Sequence, residues 1–395
     1  MKQAWRWFGP QDPVSLDAVR QAGATEIVSA LHQLKPGDVW DVATVAERKN
    51  LIETTPVGRN ALTWSIVESI PVPDDVKRLG KNAKASIAGW IASLESVAKN
   101  DIKTICYNFM PVVDWTRTDL DAPLPTGATC LRFDIYRFAA FELHILKRPG
   151  AEADYDVTTK ARAKALFDAM TQGDIDYLIM VIASALPGST TDPLTLDGFR
   201  DKLVAYRDID AKVLRRHLIE FLEAVTPAAE MLGVRLTLHP DDPPRSLFGL
   251  PRVASNAHDF QTLFDAVPSK SNGMCFCTGS LGVRADNDLV AMAKHFAPRI
   301  HFVHLRATKR DAENPLSFYE ADHLDGDVDM VSVIAALVAE DRKRGADEKL
   351  PFRPDHGHRM MDDLSKKVTP GYAGIGRLKG LAELRGVLRA VEQLS

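Results

Sequence analysis

The 395-residue chain has few cysteines, no long apolar run and almost no excess of charge. Its 4 cysteines are too sparse for a disulfide framework, which excludes the small cross-linked extracellular domains. No stretch of about 18 apolar residues is present, so the sequence predicts no membrane-spanning helix. The 49 basic and 53 acidic side chains give a formal net charge of -4, which argues against a broad nucleic-acid surface. We therefore expect neither a membrane nor a nucleic-acid partner.

The N-terminal sequence MKQAWRWFGPQDPVSL lacks the apolar stretch that follows the basic start of a secretory signal. Together with the scarcity of cysteine, this predicts a cytoplasmic protein with reduced thiols. Apolar residues make up 45% and charged residues 26% of the chain, the mixture of a globular protein. A chain of this length can bury a substantial core without disulfide or metal staples.

Short apolar runs alternate with helical periodicity over much of the chain. Eight runs predict strands: Trp5–Gly9, Thr25–Leu31, Leu62–Ser69, Lys103–Met110, Arg235–His239, Gly273–Thr278, Ile300–Leu305 and Phe352–His356. Eight strand–helix repeats favour an α/β fold of the (β/α)8 TIM-barrel type. The alternative is an open doubly wound sheet, which usually has a glycine-rich phosphate turn after its first strand. The sequence GPQD at residues 9–12 is not such a turn.

Residues 112 to 205 interrupt this alternation with Pro-Gly steps, mixed polar stretches and two or three candidate helices. A plain barrel takes about 250 residues, so an insertion accounts for much of the surplus length. We interpret residues 1–395 as a single catalytic barrel domain. Within it, residues 112–205 form a long, mainly helical insertion after the fourth strand, which we expect to cap the open end of the barrel.

Residue types that bind metals stand at the ends of four consecutive predicted strands. They are His239, Cys277, His304 and Asp355, and His356 follows directly. The active sites of such barrels lie at the C-terminal ends of the strands, so these side chains should point toward a common axis. One histidine or cysteine there would usually be structural, but four at equivalent positions predict a metal site. The mixed ligands suit Mn, Fe, Co or Zn better than Mg or Ca.

Other polar residues gather at the same expected rim. Arg306 is the strongest of them, because beside a metal it could clamp a carboxylate bidentately. Cys275 lies deeper on the strand of Cys277, and we interpret it and Cys106 as core residues. Residues that are ordinarily solvated or in rim ion pairs are weaker candidates: Glu68, Asn108, Asp114, Asp241, Asp242, Arg353 and His358.

Long segments of the chain resemble the mannonate dehydratase family. They include WRWFGPQDPVSL, CYNFMPVVDWTRTDL, FELHILKRPGAEADY, LHPDDPP, CTGSLGVRADNDLV, VHLRATKR, FRPDHGH and GYAGIGRLKGL. The resemblance covers nearly the whole chain, with residues 53–82 the most divergent stretch. It implies a barrel of the xylose-isomerase-like type, in agreement with the number of predicted strands.

The resemblance implies a cytoplasmic lyase of hexuronate breakdown that converts D-mannonate to 2-dehydro-3-deoxy-D-gluconate and water. It also implies a divalent metal, usually Mn²⁺ or Fe²⁺, and an assembly of two or more subunits. The metal ligands of the family match the residues that the strand ends indicate: His239, Cys277, His304 and Asp355.

The acid–base pair of the family matches His356, next to the aspartate ligand, and Tyr372 in the sequence PGYAG. Which of the two is the base stays open. We expect Arg306 to hold the substrate carboxylate and Asn108 to bind a hydroxyl group. The chemistry needs such groups, because one must remove the C2 proton and another must protonate the departing C3 hydroxyl.

Three other functions are alternatives to this one. A sugar isomerase or epimerase on the same barrel would favour carboxylate ligands, and Cys277 argues against it. A metal nuclease for abasic DNA would need more histidine and glutamate ligands and a basic groove. A non-catalytic sugar-acid binding protein has no need of four metal ligands and an adjacent histidine.

Overall fold

The computed structural model describes residues 1–183 and 195–394. The strands, in chain order, are β1 (Lys2–Arg6), β2 (Glu26–Ser29), β3 (Thr63–Glu68), β4 (Thr104–Tyr107), β5 (Asp119–Pro123), β6 (Thr129–Phe133), β7 (Arg235–Leu238), β8 (Asn272–Cys277), β9 (Ile300–His304), β10 (Thr308–Arg310), β11 (Phe318–Glu320) and β12 (Pro351–Arg353).

The α-helices are α1 (Leu16–Ala22), α2 (Val42–Glu53), α3 (Asp74–Lys77), α4 (Ala83–Lys99), α5 (Ile135–Ala140), α6 (Val157–Ala169), α7 (Gln172–Ala183), α8 (Leu196–Ala205), α9 (Ala211–Met231), α10 (Ala257–Ala266), α11 (Thr278–Gly282), α12 (Leu289–His295), α13 (Met330–Asp341) and α14 (Gly374–Leu394). A π-helix (Phe141–Leu146) continues α5. Short 3-10 helices lie at Ala151–Asp154, Ala297–Arg299, Ala346–Glu348 and Met361–Ser365.

Eight parallel strands close into a barrel in the order β1-β12-β9-β8-β7-β4-β3-β2. β1 pairs with both β2 and β12, so the sheet has no open edge, and the doubly wound alternative is wrong. Inside the barrel a small apolar cluster includes Cys106 and Cys275, which confirms both as core residues. The opposite faces of the strands pack against the surrounding helices in a much larger core. All eight predicted strands are present, although the first begins and ends three residues earlier than predicted, at Lys2–Arg6.

The predicted strands end too late at two of the ligand positions. His239 follows β7, and Asp355 and His356 follow β12, so all three lie on loops rather than on strands. A proline directly follows at 240 and another stands at 354, and proline cannot donate to a strand ladder. These three side chains therefore sit just above the barrel, whereas Cys277 and His304 are the last residues of β8 and β9.

Helix α9 shows how the outer helices form and bury one face. Asp210 caps its N-terminus, because the side chain accepts a hydrogen bond from the Val213 amide. The buried stripe agrees with the periodicity of the sequence and contains Leu214, Leu218, Phe221, Leu222 and Val225. Within the described ranges, no helix combines the length and the apolar character needed to cross a membrane.

The described part of the segment 112–205, between β4 and β7, has a second apolar core rich in phenylalanine. Its helices include α5 to α8, but it also contains the antiparallel pair β5 and β6. These two strands join β11 and β10, from the loop after β9, in a four-stranded sheet of order β10-β11-β6-β5. The prediction of a mainly helical insertion did not include this sheet, which we call the cap sheet. Its strands are short and partly polar, so they lack the apolar periodicity that reveals the barrel strands.

Candidate metal and acid–base site

Three of the four predicted metal ligands meet at the C-terminal mouth of the barrel. One ligand atom from each of His239, Cys277 and His304 lies within 4.8 Å of the others. The convergence follows from topology, since β7, β8 and β9 are neighbours in the barrel and each ligand stands at or just after a strand end. The two imidazole rings have centroids 5.1 Å apart. Two imidazoles and a thiol at this distance are suited to a transition-metal ion.

His304 has the clearest need of a ligand in this cluster. It is fully buried, and neither ring nitrogen has a hydrogen-bond partner within residues 1–183 and 195–394. Leaving a buried polar atom unsatisfied costs about 1–3 kcal/mol. The nearest carboxylate oxygens are 3.7 Å from Nε2, on Glu68, and 3.8 Å from Nδ1, on Asp355. An ion that accepts a nitrogen lone pair would satisfy this imidazole, so the residues present fit a metal.

His239 and Cys277 are each held by one local contact. The Nδ1 atom of His239 lies 2.7 Å from the Pro240 carbonyl, which can only accept, so Nδ1 carries the proton and Nε2 has the lone pair. The Sγ atom of Cys277 accepts from the Ser280 amide at 3.5 Å and from the Ser280 hydroxyl at 3.3 Å.

Asp355 lies beside these three residues. Its Oδ2 atom is 3.9 Å from the Sγ atom of Cys277 and 3.0 Å from Nη1 of Arg306, while Arg353 contacts Oδ1. Burial by itself would raise the pKa of Asp355, but the nearby Arg353, His356, His304 and Arg306 outweigh it and hold the pKa well below its usual range. The carboxylate is therefore ionised, as a metal ligand must be.

The backbone at Asp355 explains how two adjacent residues serve one pocket. Its φ angle is +65°, in the left-handed region, whereas neighbours on an extended strand would face opposite sides. Both Asp355 and His356 consequently line the same pocket, which also includes Tyr372.

The predicted acid–base pair lies on the wall of this pocket. The rings of His356 and Tyr372 are 5.1 Å apart and nearly perpendicular. The Nδ1 atom of His356 lies 3.2 Å from Oε1 of Glu320 and 3.4 Å from Nη1 of Arg306. Burial raises the pKa of Tyr372, against the opposing effect of Arg353 and Arg6.

The two residues predicted to bind substrate, Arg306 and Asn108, line the same pocket. The guanidinium of Arg306 is engaged by carboxylates of the protein itself: Asp355 at 3.0 Å, Asp242 at 2.7 Å and Glu320 at 3.4 Å. Of the weaker candidates, four also line the pocket, namely Glu68, Asp114, Asp242 and Arg353. Asp241 instead accepts from the Ala254 amide, and His358 contacts the Glu320 carbonyl on β11.

Sequence reasoning missed three buried charged residues around the site. Arg6 on β1 lies 2.7 Å from Oε1 of Glu68. Arg117 bridges Asp242 at 2.7 Å and Glu320 at 2.9 Å. A charged residue within the apolar run of β1 could have revealed Arg6. Arg117 and Glu320 had no such signal, because they belong to the cap sheet or the segment just before it.

Comparison with known proteins identifies the family. A family model described as D-mannonate dehydratase (UxuA) matches residues 1–395. The mannonate dehydratase of Brucella suis biovar 1 is 65% identical over 392 residues, which cover 99% of this chain and 98% of the relative. The chain belongs to the mannonate dehydratase family. The relative from Chromohalobacter salexigens is 54% identical over 397 residues and covers both chains fully.

Solved structures agree with membership of the mannonate dehydratase family. The crystal structure of mannonate dehydratase from Streptococcus suis serotype 2 is similar with a TM-score of 0.76 and 30% identity, covering 100% of this chain and 94% of that one. A D-allulose 3-epimerase from Methylomonas sp. matches with a TM-score of 0.50 and 12% identity, covering 98% of each chain. That second likeness reflects the shared barrel fold alone. The resemblance found in the sequence is confirmed, and the chain is a carbon–oxygen lyase of this family.

Proposed function

We propose that this protein removes water from D-mannonate to give 2-dehydro-3-deoxy-D-gluconate, as a step of hexuronate catabolism. The observation that carries the proposal is the meeting of three metal-ligand side chains with the pair His356 and Tyr372 at one barrel mouth, in a chain of this family. A binding protein would need neither the ligands nor the pair.

We propose that the metal ion is Mn²⁺ or Fe²⁺, with Co²⁺ and Zn²⁺ also suited to these ligands. His239, Cys277, His304 and Asp355 would hold it, because their donor atoms cluster and the ring of His304 has no hydrogen-bond partner within the described residues. When bound, the ion supplies positive charge that stabilises the negative charge developing beside the substrate carboxylate.

The proton transfers fall to His356 and Tyr372. One of them removes the proton from C2, and the electron pair of that C–H bond forms the C2–C3 double bond. The C3–O bond breaks, and the other residue protonates the hydroxyl so that it leaves as water. The resulting enol takes up a proton at C3 and becomes the 2-keto product. Glu320 holds Nδ1 of His356, so Nε2 faces this task.

The remaining residues bind the substrate and enclose it. We propose that Asn108 binds a hydroxyl group and that Arg306 faces the substrate carboxylate while keeping its protein partners. We also propose that residues 1–395 form one catalytic domain and that residues 112–205 cap it. Trp115, from that segment, lines the pocket, and the cap sheet supplies Glu320. Such a cover would exclude water from the reaction.

We propose that the protein works in the cytoplasm as a homo-oligomer of two or more subunits. The scarcity of cysteine supports the first part, since 4 thiols in 395 residues form no extracellular framework. The second part rests on the resemblance to the family. Sedimentation analysis of the purified protein tests it, and a monomer at micromolar concentration would contradict it.

The activity is tested by stripping the purified protein with a chelator and then supplying Mn²⁺, Fe²⁺, Co²⁺, Zn²⁺ or Mg²⁺ separately. We expect D-mannonate to be converted to the 2-keto-3-deoxy acid with Mn²⁺ or Fe²⁺ and not in the stripped protein. If the product is an epimer or a ketose, the protein catalyses an isomerisation and not a dehydration. No product with any of the ions would refute the proposed reaction.

The ligand assignment has a matched pair of cysteines on one strand. Cys277→Ala should reduce both bound metal and kcat at least 100-fold, because it removes a proposed ligand. Cys275→Ala stands two residues deeper on the same face, in the apolar cluster within the barrel, and should keep its metal. Metal content is measured by mass spectrometry on the folded proteins. Full metal and full turnover in Cys277→Ala would disprove the assignment.

A further inference from the structure

His32, in the loop after β2, is a second imidazole that makes no hydrogen bond within the described residues. Both of its ring nitrogens are buried, and neither has a hydrogen-bond partner in the described parts of the chain. Two buried nitrogens without hydrogen bonds destabilise the folded protein, and native proteins satisfy nearly all buried polar groups. The mechanism above does not use His32. An imidazole kept in this state is suited to bind something that the folded chain does not itself provide.

The surroundings of His32 connect it to the pocket through a row of rings. Its ring centroid lies 5.5 Å from that of Phe8, and the Phe8 ring meets Tyr372 edge-on at 4.8 Å. Tyr372 in turn meets His356. The guanidinium of Arg6 lies 5.0 Å from the centre of the Phe8 ring. His32 therefore stands one aromatic side chain beyond the acid–base pair, on the side of the barrel formed by β1 and β2.

The charge state of His32 limits what it can bind. Burial is the largest cause and the positive charges of Arg6 and Arg48 add to it, so that together, against the effect of Glu68, they lower the pKa of His32 to about 3. The ring is therefore neutral at physiological pH, with one N–H donor and one nitrogen acceptor. Such a group suits a neutral hydroxyl, which can both accept and donate, and it is a poor site for an anion.

We propose that His32 binds a hydroxyl group in the polyol tail of the substrate, at the end away from the carboxylate. This inference rests on the proposed function, in which the metal site and the acid–base pair would act on carbons C1 to C3 of a six-carbon aldonate. Phe8 forms the apolar wall between the reacting carbons and this subsite. The subsite gives the enzyme a preference for sugar acids long enough to reach His32.

The test compares D-mannonate with D-lyxonate, the five-carbon acid that has the same configuration at C2 to C4 and lacks C6. Wild-type protein should favour D-mannonate in kcat/KM. His32→Ala should raise KM for D-mannonate about fivefold to tenfold, the value of one hydrogen bond to a neutral group, and leave kcat within about twofold. Its kcat/KM for D-lyxonate should stay unchanged, so the preference for the longer acid is lost.

Three further measurements keep the test decisive. His32→Gln retains a donor and an acceptor and should recover part of the affinity. Gln33→Ala alters the neighbouring residue, whose Oε1 accepts from Arg48 at 3.0 Å, and should not change the preference between the two acids. The melting temperature of His32→Ala should equal or exceed that of the wild type, because the change removes unsatisfied buried nitrogens.

The outcomes separate this inference from the proposed function. If the wild type dehydrates D-mannonate but His32→Ala loses the same factor for both acids, or loses nothing, the subsite is refuted and the reaction stands. If the wild type with Mn²⁺ or Fe²⁺ converts neither acid, the proposed function fails and the subsite fails with it.

Discussion

At the scale of single residues, four buried acids in and around the pocket each contact an arginine. Glu68 contacts Arg6 and Arg353, and Asp355 contacts Arg353 and Arg306. Arg306 also contacts Asp242, and Arg117 contacts both Asp242 and Glu320, so acids and arginines alternate along the series. Buried ion pairs contribute little net stability, since desolvation offsets their attraction. Their value here lies in orientation, because each carboxylate stays ionised and fixed at a position that the chemistry uses.

Glu320 is the member of this series that contacts the proposed acid–base pair, through Nδ1 of His356. In Glu320→Gln, Nδ1 of His356 loses a charged acceptor, so we expect kcat to fall about 10- to 100-fold, as for partners that orient functional histidines. Metal content should change little, because Glu320 contacts none of the proposed ligands. Steady-state kinetics and metal analysis check this together.

The control for Glu320 is Glu313, an exposed acid that lies 3.4 Å from Arg162 near the cap sheet. Glu313→Gln should leave kcat within about twofold, because an exposed ion pair contributes little. Wild-type kcat in Glu320→Gln, or equal losses in both variants, would mean that Glu320 does not position His356.

The sequence predicted the residue types that lie on regular strands and missed those that depend on packing. His239, Cys277 and His304 could be predicted because neighbouring strand ends must meet in a closed barrel. Arg117 and Glu320 could not, because their role depends on how the cap sheet folds over the mouth. Likewise His32 stands out only when the absence of partners for its ring, within the described residues, is known.

At the scale of elements, the barrel sheet and the cap sheet differ in whether the local sequence predicts their strands. The barrel strands are apolar runs, and all eight were predicted from periodicity. The cap sheet joins β6, from the segment after β4, to β11, from the loop after β9. No local pattern indicates that two such distant segments pair. Yet this sheet places Phe318 against Phe133, with nearly parallel rings 5.6 Å apart, and so fixes Glu320 near His356.

Arg117 links the cap to the barrel, and its loss should destabilise the whole protein. It is fully buried and bonded to Asp242 and Glu320. Arg117→Met retains much of the packing against Trp115 and Phe318 but leaves two buried carboxylates short of a cation. We expect the free energy of unfolding to fall by about 3–5 kcal/mol. Urea denaturation of the purified variant measures it.

The matched control is Arg162→Met, which removes an exposed arginine from the same cap. Arg162 and its partner Glu313 have side chains 50% and 83% exposed, so we expect less than about 1 kcal/mol. Similar small losses in both variants would show that Arg117 does not hold the cap to the barrel.

At the scale of the whole molecule, acid should act on stability in two separate pH windows. Burial lowers the pKa of His301 to about 3, and its Nε2 atom contacts the Lys270 carbonyl at 2.8 Å. The unfolded histidine titrates near 6.5, so below that pH the unfolded state binds the proton and the native state does not. Burial would raise the pKa of Glu320, but Arg306 and His356 lower it to about 2, so its contribution is lost only below about pH 4.

His301 makes the first window testable without touching the active site, since it lies on the outer face of β9. Stability from this group is complete above about pH 6.5 and declines as the pH falls toward 3. Each pKa unit corresponds to 1.36 kcal/mol, so between pH 7.5 and pH 5 the wild type should lose about 2 kcal/mol through His301. The free energy of unfolding of His301→Gln should be lower than that of the wild type at pH 7.5. It should fall by less than that of the wild type between pH 7.5 and pH 5. Urea denaturation of both proteins at the two pH values measures the difference, and His295→Gln, at an exposed position, should keep the wild-type slope. Identical slopes in His301→Gln and wild type would mean that His301 takes up its proton in the native state.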